Sequence, residues 1–486
     1  MGACNPVLFG HQSGDRGGEL FLIDGAINLL AIIRHELTLF AAAGLAIGGI
    51  DDVVIDLVFL FRRGWRRIAV YSRHPRMTMA TLPRSDDPGR IAIFVPAWQE
   101  SEVIGPMVRH ALRQWKDADF RLFIGAYPND PGTAMAAIEG AGGSEQAIIR
   151  IHDRPGPTTK ADCLNGLWRT MLAEEERTGR RFKAVVLHDA EDVVHPDEIA
   201  LFDRMIDRFD LVQLPVVPLP GEGSRWRRAI ADHYCDEFAE EHGKYLTVRE
   251  ALGASVPSAG VGCAFSRSAL AALDSPAHGG PFDAASLTED YETGLRITAH
   301  GGRGIFLRIR DANGGLVCIR EHFPDSLSAA VRQKARWMVG IALSGWDRMG
   351  WRGGPGEWWM RFRDRRAALA ALILFAAYLA AALWGLLGTI ALFRPVPAMP
   401  LGPTLETLLL INFALMLWRF TMRLLFVGRG YGWRQGLAAI PRTFIGNLVA
   451  MLAARRAIAL YCRSLLGEPL RWDKTQHRFP DMEPRA

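Results

Sequence analysis

The run Lys-Ala-Val-Val-Leu-His-Asp-Ala-Glu-Asp at residues 183–192 constrains the fold more than any other stretch. Residues 184–187 are apolar and include two β-branched valines, which reads as a buried strand. The strand ends in three carboxylates within four residues: Asp189, Glu191 and Asp192. Carboxylates crowded at a strand end repel one another unless something positive joins them. Two readings are open. One is a hard divalent cation that takes oxygen ligands and bridges to a phosphate. The other is a solvated loop whose acids cap a following helix. In α/β sheets, ligands bind at the C-terminal ends of strands, where these acids lie.

The surrounding pattern extends the strand into a domain. Strand-like stretches at 91–95, 121–126, 147–151, 184–187, 211–217 and 304–309 alternate with helix-like stretches at 102–115, 133–141, 160–175, 197–208, 225–248 and 290–300. Such alternation predicts an α/β domain with a mostly parallel sheet and helices on both faces. Residues 96–100, 128–130 and 189–192 then all fall at strand ends.

Outside that domain the chain is strongly apolar. Mean hydropathy is +0.06 although 22% of residues are charged, so the apolar residues must be segregated. Residues 1–34 form an N-terminal segment with an amphipathic helix at 19–33. Residues 35–61 read as a transmembrane segment carrying Asp51, Asp52 and Asp56, which either lie at the interface or line a polar path. Residues 62–366 are the cytoplasmic domain. Residues 367–393 and 404–427 are long enough to span a bilayer of about 20 residues per helix. Residues 436–462 read as an interfacial or membrane-embedded helix, and 463–486 as a cytoplasmic tail. Basic blocks at 62–67 and 361–366 abut apolar segments, which marks those ends as cytoplasmic. The arginines concentrate there, so the net charge of +5 suits anionic lipid better than nucleic acid. No signal-peptide pattern is visible at the N-terminus. Six scattered cysteines without a C-x-x-C pair suit a reducing compartment and argue against a zinc site.

Several chemistries are set aside. Gly260-Val261-Gly262 lacks the third glycine of a dinucleotide fingerprint, and neither a P-loop nor a G-x-S-x-G elbow occurs. His188 and His195 are expected to pack or hydrogen-bond rather than ligate metal. Arg332 and Arg336 form an R-x-x-x-R, which suits either cyclic-dinucleotide phosphates or an exposed helix face.

The remaining motifs form an ordered set: Asp130, then Asp189-Ala190-Glu191, then Thr288-Glu289-Asp290, then Gln333-Lys334-Ala335-Arg336-Trp337. This set resembles the processive family 2 glycosyltransferases with a GT-A fold, in which an Asp, a D-x-D, a T/E-E-D and a Q-x-x-R-W recur in that order. Residues 94–100, 125–130, 188–192, 332–337 and 472–477 more closely resemble the bacteriophage adsorption protein B (NfrB-like) family of inner-membrane proteins, over about residues 35–480. Longer members of that family carry a C-terminal cyclic-di-GMP-binding domain. This sequence stops before it, which leaves such regulation an open question on this reading.

The resemblance implies a role for each residue. Pro96, Glu100 and Asp130 would hold the nucleoside, and Lys160 would add a cation beside it; a plain helix-start lysine is the alternative. Asp189 and Glu191 would bind Mg2+ or Mn2+, with Asp192 as the other possible second ligand, because Glu191 stands where the family has Asp. Asp290, with Glu289 beside it, would act as general base, against the alternative of a helix N-terminal acid. Gln333 and Arg336 would grip the nucleotide-sugar diphosphate. Trp337 would offer an apolar face to the acceptor, unless it is an interfacial anchor. The implied activity is metal-dependent, inverting transfer from a nucleotide-sugar, UDP-linked in the first instance, to a growing glycan. A lipid-linked acceptor or a non-catalytic scaffold are the alternatives. Membrane lipids and an export partner or oligomer complete the expected partners.

Overall fold

The structure is a computed structural model and describes residues 15–397, 399–468 and 478–480. Residues 472–477, which contribute to the resemblance, lie outside the described residues.

The chain divides into two compact units. The larger takes Val54–Ala368 and the described residues from Phe420 onward. Its centre is a seven-stranded sheet built from β1 (Arg90–Pro96), β2 (Phe120–Ala126), β3 (Ala147–Ile151), β4 (Phe182–Leu187), β5 (Leu211–Gln213), β7 (Cys263–Ser266) and β8 (Gly304–Phe306). The strand order is β3-β2-β1-β4-β7-β5-β8, and only β7 runs antiparallel to its neighbours. A two-stranded sheet pairs β6 (Val216–Pro218) with β9 (Ile319–Glu321). This is the mostly parallel α/β arrangement expected of a GT-A domain.

Both faces of the sheet are buried, as a crossover topology requires. Along β1, Ile91, Ile93 and Val95 enter one core with Met107, Val108 and Phe202. The alternate residues Ala92 and Phe94 enter the other, with Phe123, Leu164, Trp168 and Met171. The sequence reading merged β5 and β6 into one strand at 211–217. They belong to different sheets, because Gln213 turns its amide onto the carbonyls of Leu214 and Val261 and ends the first ladder. The reading also missed β7, whose four residues are too short to show a period.

The smaller unit combines the described residues up to Val53 with Leu369–Arg419. Residues 19–33 and 35–61 were expected as separate segments. They form one helix, Asp15–Trp65, and no proline interrupts the run. Within this unit the Trp384 indole donates to Thr38 Oγ1 at 3.1 Å, and the Arg34 guanidinium lies 4.0 Å from the Trp384 ring centre. Asp52 approaches Arg419 at 3.6 Å. In the larger unit Asp56 is buried and paired with Lys244, itself 3.0 Å from Glu240. These two acids face protein cations, which offset the cost of burying them.

Three helices are long and apolar enough to cross a membrane among the described residues: Ala367–Ile390, Gly402–Tyr431 and Trp433–Leu465. The last is longer than the expected 436–462 and packs on the helices Arg225–Glu240 and Leu327–Trp337. Its Arg442 is buried against Asp236 at 2.6 and 2.9 Å.

Candidate active site

The residues expected on the nucleotide side meet where β1 and β2 end. Ala97 continues the ladder by donating to Gly125 O at 2.8 Å, after which the chain turns sharply. Gln99 adopts φ +54°, a left-handed conformation uncommon for a residue with a side chain. The turn is fixed by Asp130, whose Oδ2 accepts the Gln99 N–H at 2.5 Å. Its Oδ1 faces the Thr133 N–H at 3.4 Å, capping the helix Pro131–Ala141. The Glu100 N–H donates to Thr133 Oγ1 at 2.8 Å. Asp130 therefore shapes the turn that carries Pro96 and Glu100. Beside it, Trp98 meets Tyr127 edge-on at 5.1 Å, and Tyr127 stacks on His152 at 5.1 Å. Asn129 and Gly156 exchange two hydrogen bonds of 2.8 Å, fastening the next loop to the end of β2.

The acidic run sits at the end of β4, as its sequence predicts. Lys160 opens the helix Lys160–Thr178 behind the N-cap Thr159 and reaches Asp189 Oδ1 at 2.5 Å. Burial works against the Lys160 ammonium, yet Asp189, Glu289 and Asp290 together hold its pKa well above the ordinary lysine value. Burial, then the adjacent Asp290, pushes Glu289 up to about 7, while Lys160 and Arg336 pull it down. Burial likewise raises Asp290, against Lys160 and the Tyr291 N–H, which donates to Asp290 Oδ1 at 2.8 Å. Residues from three of the four motifs, together with Lys160, thus share one electrostatic cluster.

Asp192, on the same run, bonds to His188 rather than to Lys160. Its Oδ2 lies 2.7 Å from His188 Nδ1 and accepts the Asp189 N–H at 3.2 Å. His188 is fully buried, and its Nε2 lies 2.9 Å from Glu198 Oε1. Burial opposes charge on His188, but Glu198 and Asp192 raise its pKa to about 10. The expectation that His188 hydrogen-bonds holds. His195 lies 3.5 Å from Asp311 and is likewise not gathered with other ligands.

Among the described residues no group of three or more His, Cys, Asp or Glu side chains is arranged to hold a metal by itself. Asp189 and Glu191 carry carboxylate oxygens, the donor type that a divalent ion takes when its other ligands are diphosphate oxygens and water.

Two close approaches position the acids of the helix Glu289–Ala299. Gly260, at φ +78°, lies against the Asp290 carboxylate, where a Cβ would collide. Gly340 packs on Thr288, the residue that starts this helix. Gly340 sits in a π-helical segment, Met338–Ser344, that follows directly on the helix Leu327–Trp337. Gln333 on that helix is buried, and its Oε1 has no hydrogen-bond partner among the described residues. Trp337 is half-buried in an aromatic group with Tyr234, Phe238 and Phe323, at centroid distances of 6.3, 6.5 and 6.5 Å. Much of its ring is engaged in packing.

A sequence profile described as Glycosyl transferase family group 2 matches residues 184–427, just over half of the chain. The chain belongs to glycosyl transferase family group 2. This family group 2 member is also 38% identical over 459 residues to the bacteriophage adsorption protein B of Escherichia coli K12, and equally to the bacteriophage N4 adsorption protein B of E. coli O157:H7. The match covers 90% of this chain and 61% of each relative, so the chain spans less than two thirds of their length. Among solved structures it is similar to the mannosyltransferase PcManGT from Pyrobaculum calidifontis, in complex with GDP-Man and Mn2+. That match has 16% identity and a TM-score of 0.49 over 84% of this chain and 99% of the other. It is also similar to glucosyl-3-phosphoglycerate synthase from Mycobacterium tuberculosis with Mn2+, UDP and phosphoglyceric acid. Here identity is 17% and TM-score 0.33, over 58% of this chain and 86% of the other.

Sequence reasoning missed Gly260, Gly340 and Tyr127. Gly340 carried a usable signal, since it lies three residues past Trp337, whereas Gly260 is far in sequence from the acid it faces.

Proposed function

We propose that this chain is a membrane-bound glycosyltransferase that moves a sugar from a nucleotide-sugar to a glycan acceptor, with inversion by single displacement. The observation that carries the reading is the convergence of Asp189, Glu289 and Asp290 on Lys160. In this reading an acceptor hydroxyl attacks the anomeric carbon, the nucleoside diphosphate leaves, and the hydroxyl proton passes to Asp290. The raised pKa of Asp290 makes it a stronger base than an exposed carboxylate. Asp189 and Glu191 are the residues that would hold a divalent ion, which when bound supplies Lewis-acid neutralisation of the leaving diphosphate. The bonds of Asp192 Oδ2 to His188 and to the Asp189 amide favour Glu191 over Asp192 as the second of that pair. Pro96, Glu100 and Asp130 frame the nucleoside, with Asp130 acting by shaping the turn. Gln333 and Arg336 serve the diphosphate, and Trp337 lines the acceptor side.

The Q-x-x-R-W motif favours repeated addition to a polysaccharide, and the basic blocks at 62–67 and 361–366 favour a cytoplasmic catalytic domain on the inner membrane. Nucleotide titration tests the donor site. UDP or GDP should bind the purified full chain with Mn2+ present, and Asp189→Asn should weaken that binding at least tenfold. No affinity for any nucleoside diphosphate with metal would leave only the scaffold reading.

A further inference from the structure

A cavity of about 630 Å³ lies in the larger unit between the helices Arg225–Glu240 and Trp433–Leu465. Its lining includes Arg225, Arg228, Arg442, Asp232 and the apolar Ala438 and Ile445. Arg442 is already neutralised by Asp236. The neighbouring Arg227 is paired with Asp325 at 2.6 Å. Arg225 and Arg228, three residues apart and so on one helix face, have no such partner among the described residues. The cavity therefore offers two uncommitted guanidinium groups at one wall and apolar surface at another. Arg recognises phosphate through its planar fork of donors.

The second helix shows where such an anion would come from. Gln435, Ala438, Arg442 and Ile445 line the cavity at helical spacing. Trp433, Leu437 and Phe444 are each more than half exposed. At 100° per residue that apolar stripe lies about 130° around the helix from the cavity-lining face. Trp226, beside Arg225, is also exposed. Exposed Trp and Arg bordering an apolar stripe are the composition of a membrane–water interface.

We propose that this cavity holds the phosphate headgroup of an anionic phospholipid, with Arg225 and Arg228 on the phosphate, while the stripe of Trp433, Leu437 and Phe444 on the other side of the helix sits in the surrounding lipid. The inference rests on the membrane-bound reading above but not on the transfer chemistry.

The test is native mass spectrometry of the full chain in detergent, after exposure to phosphatidylglycerol or phosphatidylcholine. Phosphatidylglycerol should be retained selectively. The double variant Arg225→Gln/Arg228→Gln should weaken retention roughly 30-fold, the effect of two basic residues at an anionic surface. Ala438→Trp, which fills the cavity from the other helix, should do the same. Both variants should keep the wild-type circular dichroism and nucleotide affinity. Equal retention of the two lipids, unchanged retention in both variants, or displacement by millimolar inorganic phosphate alone would overturn the proposal. The last result would assign a soluble anion. A chain that binds nucleotide yet retains no phosphatidylglycerol contradicts the lipid site alone. One that retains the lipid but binds no nucleotide contradicts the transferase reading instead.

Discussion

Lys160 faces three carboxylates from two separate segments, so the ionisation of each depends on the others. A general base works only when ionised, and burial raises both Glu289 and Asp290. Activity should therefore be lost as pH falls, at a pH above the ordinary carboxylate range, because burial raises Asp290. Lys160→Gln removes a charge that lowers both acids, so the acidic limb of the kcat/KM profile should move to higher pH. An unmoved limb would separate Lys160 from the base. Gly260→Ala places a side chain at φ +78° against Asp290. The strain is worth about 1–3 kcal/mol, and kcat should fall while nucleotide affinity stays. His188 shows the linkage of a buried base. Its folded pKa of about 10 exceeds the ordinary value of 6.5. The stability it contributes is complete below pH 6.5 and declines as pH rises through about 10, which thermal unfolding across that range should register. At this scale the motif acids were legible in the sequence, because crowded carboxylates at a strand end are a local pattern. The partner of Asp192 was not legible, because it depends on His188, which Glu198 holds from its other nitrogen.

The helix Trp433–Leu465 shows the same limit one level up. Its apolarity is local and was read correctly, but its docking is not. Arg442, Asp232 and Asp236 meet only because two helices more than 200 residues apart in sequence pack together. Arg442→Met should destabilise the fold by about 3–5 kcal/mol, since it leaves the Asp236 carboxylate buried without its cation. Adding Asp236→Leu to that variant should restore much of the loss in thermal unfolding, because the orphaned charge is gone. A similar reason hid β7. Four residues carry no period, and their strand character comes from pairing with β4 on one side and β5 on the other. Long strands such as β1 and β2 showed in the sequence because each is a continuous apolar run buried on both faces.

Across the whole molecule the order of motifs and the basic blocks beside apolar helices were visible in the sequence, and they anticipated an α/β domain set among apolar segments. The single helix Asp15–Trp65 was not anticipated, because the polar Arg34-His35-Glu36 between an amphipathic stretch and an apolar one looks like a boundary, although nothing there breaks the helix. The topology proposed from the basic blocks makes a direct prediction. A reporter inserted within residues 394–403 should be active on the periplasmic side, and one at residue 480 on the cytoplasmic side; the reverse pattern would invert the catalytic domain. The central claim is that the acids around Lys160 transfer sugar. It is tested most directly by offering radiolabelled nucleotide-sugars to membranes containing the full chain or its Asp290→Asn variant, and sizing the product. The account predicts label in a polymeric product from at least one donor, and a loss of about 10²–10⁴-fold in the variant with nucleotide binding retained. Equal incorporation by wild type and variant would contradict it.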